Sequence, residues 1–264
     1  MPDNLLDGAR ELLLETVSTL DKASIGDYLV IGGWCPYLRN KSGLRHPGTL
    51  DVDLLFRAGD REGALSPAID ALLNAGFVLS AKHSFQLLFE KAIRGKRLIY
   101  NVDLLHPSMS AKESEMFVDH LDLDIPLAAD GDRVKKSTSI ILPNSKVLFD
   151  EELFSEYSLC GVSIRLVDFT GMFLTKMDSC QKAKRERDSF DIYVGLRSES
   201  IEFAKIERIA AQNLQIQQSL DRLRSYLESQ GRVFNENVQQ FFDDSSMAPE
   251  SPAEALLLGL RSIS

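Results

Sequence analysis

The chain has few of the features that would place it quickly. Its three cysteines, Cys35, Cys160 and Cys180, are odd in number and form no C-x-x-C pair, which excludes a disulfide frame and a zinc knuckle and reads as reduced thiols. The four histidines, at 46, 83, 106 and 120, show no ligand spacing. No apolar run approaches the roughly 20 residues of a membrane span. The opening "MPDNLLDGARELLLE" carries acids and lacks the basic-then-apolar order of a signal peptide. Together these place the chain in the cytoplasm with no membrane partner. Net positive charge is also lacking: 39 acids outnumber 30 Lys and Arg for a formal net charge of -9, which argues against a surface that coats nucleic acid but leaves room for a local basic groove.

What is present is an ordinary core. The 264 residues are 44% hydrophobic and 26% charged, enough for one large domain or two small ones. Residues 4–23 repeat apolar positions at helical spacing. Strand character follows at 27–32, a short helix near Trp34, a strand in "TLDVDLLF" and a helix over 62–76 ending at Gly76. "SFQLLFEKAIRGKRLIYNVDLLH" reads as two strands around Gly95-Lys96. Residues 107–136 read as irregular, and "TSIILP", "KVLF" and "VSIRLV" as short strands. From Asp168 onward the pattern is mainly helical, with "DDSSMAPESPAE" at 243–254 as a linker. The stripe in "LQIQQSLDRLRSYLES" suits either a core face or a partner helix. The expected division is 1–160 and 161–264, with an active site in a cleft between the two parts.

The chemistry concentrates in "VIGGWCPYLRNKSGLRHPGTLDVDLLF". Asp51 and Asp53 are two residues apart, so a strand puts both on one face and Leu50, Val52 and Leu54 on the other. A helix would separate them by about 200°. A D-x-D on a solvent-facing edge needs no cation. Asp103, in the second apolar strand "LIYNVDLLH", changes the balance, because three acids within two apolar strands are hard to explain as solvated surface. A cation between them relieves the repulsion, and oxygen-only ligands favour Mg2+ or Mn2+. Gly32 and Gly33 end the preceding strand and permit the close approach of a phosphate, with the Thr49 hydroxyl nearby.

The order strand, Gly-Gly, helix, loop, D-x-D, third Asp resembles the nucleotidyltransferase (polymerase-β-like) superfamily over roughly residues 28–105. The resemblance implies an α/β fold: a nucleotidyltransferase-like mixed sheet flanked by helices, with a mainly helical C-terminal domain completing the cleft. It also implies that Gly32 and Gly33 hold a nucleoside triphosphate, Asp51 and Asp53 bind two magnesium ions, and Asp103 completes the metal site. "FLTKMDSCQKAKRERDSFDIYVGL" (173–196) looks like the helical signature of AbiEii-type toxin nucleotidyltransferases. On that resemblance Lys176 contacts the triphosphate, Arg187 belongs to the nucleotide-binding basic turn, and an acid of the R-D-x-x-D run, Asp188 or Asp191, supports the active site. The chain departs from the pattern at Pro47, where the family often has arginine, with Arg45 and Arg39 close by, and at Ser179, where alanine is usual.

The implied function is transfer of NMP from an NTP to a hydroxyl. The acceptor would be RNA such as a tRNA 3′ end, and the chain a toxin paired with an antitoxin. Lys182, Lys184, Arg185 and Arg187, with Arg94, Lys96, Arg97, Lys135 and Lys136, are the cations available for its phosphates. A small-molecule or protein acceptor, or a catalytically silent fold used for binding, stays open. The complete acid trio weighs against a silent fold.

Overall fold

The structure is a computed structural model. It describes residues 3–57, 64–93, 95–107, 118–126, 134–241, 251–261 and 263. Arg94 and the 243–250 part of the expected linker lie outside the described residues. The chain forms two compact units, one of residues 1–34 and 48–166, the other of residues 35–47 and 167–264. A single break near 160 does not describe this, because the short segment 35–47 belongs with the C-terminal unit.

The first unit is built on a mixed sheet. The strands are β1 (Tyr28–Val30), β2 (Val52–Phe56), β3 (Val78–Leu79), β4 (Gln86–Ile93), β5 (Lys96–Pro107), β6 (Val118–Pro126), β7 (Val134–Leu142), β8 (Phe154–Leu159) and β9 (Val162–Val167). The order across the sheet is β3-β4-β5-β2-β1-β9-β8, with β7 pairing β5 and β6 pairing β7. β2 runs parallel to β5 and antiparallel to β1. β4 pairs antiparallel with β5 as far as Gln86↔Asp103, and from Leu105 onward β5 takes β7 as its parallel neighbour. The edge of the sheet next to Asp103 is therefore where one neighbour hands over to another. β8 and β9 are joined by Cys160-Gly161, both at positive φ (51° and 82°), the two-residue turn whose twist matches that of the flanking strands.

Helix α1 (Asp3–Lys22) buries Ala9, Leu12, Leu13, Thr16, Val17 and Leu20, one face at helical spacing. α3 (Leu65–Asn74) does the same with Leu65, Ala68, Ile69 and Leu72. The central strands have little polar face to spare: β1 is wholly buried, and in β2 only Asp53 is not.

The second unit is helical: α5 (Phe169–Lys176), a 3-10 turn at Ser179–Gln181, α6 (Glu186–Arg197), α7 (Phe203–Gln212), α8 (Leu214–Gln239) and α9 (Pro252–Arg261). The Asp168 carboxylate caps α5 by accepting from the Gly171 N–H at 2.7 Å, and Asn213 caps α8 through the Gln215 and Ile216 N–H groups. The α8 stripe of Ile216, Leu220, Leu223 and Leu227 is core. Segment 35–47 is bound to the rest of this unit by hydrogen bonds, among them that of the Arg39 guanidinium, which donates to the Val167 carbonyl at 3.2 Å, and that of the Lys41 N–H, which donates to Ser198 Oγ at 3.1 Å. No helix among the described residues is long and apolar enough to cross a membrane.

The mixed sheet with helices and the mainly helical remainder are as the sequence implies. Three local readings are corrected. "KVLF" is not a strand but part of the short helix α4 (Lys146–Asp150), with Val147, Leu148 and Phe149 all buried. The buried Ser145 hydroxyl donates to the Leu142 carbonyl at 2.7 Å and closes the turn that starts it, so packing overrides β propensity. Within 107–136, read as irregular, β6 and the start of β7 are strands paired antiparallel, with Lys136 in register with Asp124. "HLDLDI" alternates polar and apolar residues with period two, a signal obscured by its acids. Pro252, Ala253 and Glu254, expected in the linker, open α9, and the Ala253 N–H donates to Asn235 Oδ1 at 2.8 Å.

Leu54 is fully buried at the centre of β2, on the face opposite Asp53. Leu54→Ala is expected to cost about 2–5 kcal/mol, read as a lower urea midpoint with an unchanged slope.

Candidate active site

The acids of the first unit are assembled by strand register. In the parallel β2–β5 pair Asp53 lies directly beside Asp103. Residues side by side across adjacent strands point to the same face, with backbones about 4.8 Å apart. Asp51 stands one residue before β2, and the Trp34 indole N–H donates to its carbonyl at 2.8 Å, fixing the strand entrance from the far side of the glycine turn. Its carboxylate is oriented by the Thr49 hydroxyl, which donates to Oδ1 at 2.8 Å.

Gly32 is part of this arrangement. Its φ is +71°, and a Cβ built there would land on Oδ2 of Asp53. Only glycine both takes that backbone angle readily and leaves room for the carboxylate. Gly32 and Gly33 lead into α2 (Trp34–Leu38), only five residues long, so any attraction for an anion here would come from individual backbone N–H groups, with little from a helix dipole.

The donor chemistry of Asp53 and Asp103, oxygen only, suits Mg2+ or Mn2+. Among the described residues no group of three or more His, Cys, Asp or Glu side chains is gathered closely enough to hold a metal.

The residues read from the helical block form a separate ion network within the second unit. Lys176 Nζ donates to Asp188 Oδ1 at 2.5 Å and to Asp191 Oδ2 at 2.7 Å. Asp188 also accepts from the Ser179 hydroxyl at 2.7 Å. Arg187 Nε lies 3.7 Å from Asp191 Oδ2. Lys182, Lys184 and Arg185 are exposed. Asp191 has a further partner that the sequence did not suggest: His46, 145 positions away, at 2.8 Å from Nε2 to Oδ1. The His46 ring stacks on Phe190 at 5.8 Å.

Burial disfavours each charge here, and the partners decide the outcome. For Asp191, fully buried, burial raises the pKa, but Lys176, the His46 hydrogen bond and Arg187 outweigh it and hold the carboxyl well below the usual range. For Lys176, burial lowers the pKa, and Asp188 and Asp191 more than reverse it. For His46, burial wins over Asp191 and lowers the pKa. The neutral ring therefore carries its proton on Nε2 and donates it to Asp191. Cys35 and Cys180 are fully buried, and burial pushes both thiols up, so neither is a reactive thiolate. His106, buried, bonds through Nδ1 to the Ser139 hydroxyl.

No family model and no curated protein matches the chain. Among solved structures it is similar to the crystal structure of an antigenic nucleotidyltransferase-like protein from Paracoccidioides brasiliensis, with 15% identity and a TM-score of 0.43 over 88% of this chain and 93% of that one. A likeness this distant bears on neither fold nor chemistry.

Gly32→Ala is expected to cost about 1–3 kcal/mol through the left-handed backbone and the displaced Asp53 carboxylate, measured by denaturant unfolding. Asp191 has a depressed pKa, so its contribution to stability is complete above the unfolded carboxylate value of about 3.9 and is lost as pH falls through the lower folded value. The gap in unfolding free energy between wild type and Asp191→Asn, about 3–5 kcal/mol near neutrality, is therefore expected to narrow below about pH 4. Urea titrations across pH 3–7 would read this; a gap that stays constant down to the acid end would contradict it.

Proposed function

We propose that this chain transfers a nucleoside monophosphate from an NTP to a hydroxyl of an RNA acceptor such as a tRNA 3′ end, with Mg2+ or Mn2+ held by Asp51, Asp53 and Asp103. The observation that carries the reading is the Asp53–Asp103 pair in register, with Gly32 seated against the Asp53 carboxylate. Two like charges about 5 Å apart repel by about 3 kcal/mol at an effective dielectric of 20. A cation beside the pair relieves that repulsion.

The acceptor oxygen attacks the α-phosphorus, the bond to the bridging oxygen breaks, and pyrophosphate leaves with that electron pair. Bound divalent cations supply charge neutralisation to the phosphoryl and leaving oxygens. The chain supplies position. Gly32 and Gly33 let the triphosphate approach the backbone. Thr49 holds Asp51 until a ligand draws it away. Asp103 polarises the acceptor hydroxyl and favours loss of its proton. Lys176 gives two of its three N–H donors to Asp188 and Asp191 within the second unit. Arg187 adds positive charge beside it. The resemblance of 173–196 to AbiEii-type toxins supports RNA as the acceptor and an antitoxin as partner.

Wild type incubated with each α-labelled NTP, Mg2+ and either total RNA or total protein is expected to label RNA. Asp51→Asn and Asp53→Asn are expected to lower labelling by about 10²-fold or more while keeping the far-ultraviolet dichroism of the wild type. Full labelling by either variant would remove the carboxylates from the chemistry, and label in protein would reassign the acceptor.

A further inference from the structure

The row of side chains that holds Asp53 and Asp103 continues by one more strand. In the β4–β5 pair Gln86 is in register with Asp103, so Gln86, Asp103 and Asp53 stand abreast on one face of the sheet, with the glycine turn beyond Asp53. The row has a direction. Its β1 end carries the turn assigned to the triphosphate, and its β4 end carries a neutral amide beside the acid assigned to the attacking hydroxyl. Gln86 is half-buried, and among the described residues its side-chain amide makes no hydrogen bond. An amide that both donates and accepts suits a ribose hydroxyl, and it adds no negative charge to a pair already crowded with it.

The residues leading into Gln86 are ordered and carry complementary chemistry. The buried Ser80 hydroxyl accepts from the N–H groups of Lys82 at 3.2 Å and His83 at 3.1 Å. The Ser80 N–H donates to the Gln86 carbonyl, and the Gln86 N–H to that of His83, both at 3.0 Å. The Leu104 N–H donates to the Phe85 carbonyl at 3.0 Å, which ties the loop to the residue next to Asp103. On this frame the His83 and Phe85 rings stack 5.4 Å apart at 30°, both partly exposed, and Lys82 is exposed. A partly exposed aromatic pair with one cation beside it matches what a terminal nucleotide needs: a face to stack on and a charge for its phosphate. The loop stands where β5 exchanges β4 for β7.

We propose that Gln86 and the Ser80–Phe85 loop bind the acceptor, receiving the terminal nucleotide of an RNA with its hydroxyl toward Asp103. This rests on the transferase reading above and assigns the acceptor side of that same site. Gln86 positions the ribose, Lys82 meets one phosphate, and the ring pair stacks the base. The NTP, bound at the glycine end, does not use them.

The test compares full-length wild type, Gln86→Ala, Gln86→Glu, Lys82→Ala and Asp53→Asn. Total RNA and α-labelled NTPs serve as substrates, and the melting shift with NTP and Mg2+ is recorded for each. Gln86→Ala and Gln86→Glu are expected to raise the RNA concentration for half-maximal labelling about three- to tenfold, the loss of one hydrogen bond. Neither changes the NTP concentration at half-saturation or the melting shift. Gln86→Glu keeps the size of the side chain and adds charge, so a larger effect than Gln86→Ala marks contact with an anionic acceptor. Lys82→Ala is expected to raise the same RNA concentration and to flatten its salt dependence by about one phosphate contact. Unchanged RNA dependence in Gln86→Ala and Lys82→Ala, or a rise in the NTP value instead, overturns the assignment while leaving the transferase reading standing. Loss of labelling and of the melting shift in Asp53→Asn supports that reading; their retention, or no label in RNA or protein from wild type, overturns both, and label in protein alone overturns the RNA-acceptor assignment.

Discussion

The first unit is organised around the placing of Asp53. Its strand is buried on both sides, its parallel neighbour sets a second carboxylate alongside, and the chain crossing over it has to be glycine, because any larger residue would occupy the position of a carboxylate oxygen. Two of these choices carry a physical cost of their own. Like charges abreast repel, and a left-handed turn is available at low cost only to glycine. Hydrophobic residues at the same positions would make a more stable sheet.

The second unit handles charge differently. Lys176, Asp188, Asp191, Arg187 and His46 form a network in which each acid has more than one partner. A buried pair contributes little beyond a well-packed apolar substitute, but it is costly to break, since the remaining charge is left in a poorly solvating interior. The network therefore enforces a specific arrangement of α5, α6 and segment 35–47. Neutral His46 allows Asp191 a third partner without bringing another charge inside.

Much of this was legible in the sequence because it rests on short-range periodicity. The i, i+2 spacing of the acids, the glycine pair and the apolar runs on either side are local, and the α/β order with its helical second half follows from them. The spacing of Lys176, Asp188 and Asp191 likewise anticipates one shared cluster. What the sequence does not carry is register. Nothing in "SFQLLF" says that Gln86, and not a neighbour, stands beside Asp103, and nothing near His46 points to Asp191. "KVLF" misleads because its β-prone residues are buried on a single helical turn, and β6 is hidden because its alternation is written in aspartates.

The path of the backbone has a consequence for how this molecule can be divided. The chain passes from one unit to the other between residues 34 and 35, returns between 47 and 48, and passes over again between 166 and 167. One cut near residue 160 would fall inside the first unit, between β8 and β9, leaving the first two crossings in one fragment and the third in the other. A fragment ending there would carry 35–47 as an orphan, deprived of the Val167 carbonyl, Ser198 and Asp191 that hold it. That orphan lies in the sequence between the glycine turn and the first aspartate, so the partners of the segment that joins the two are encoded more than 100 residues downstream.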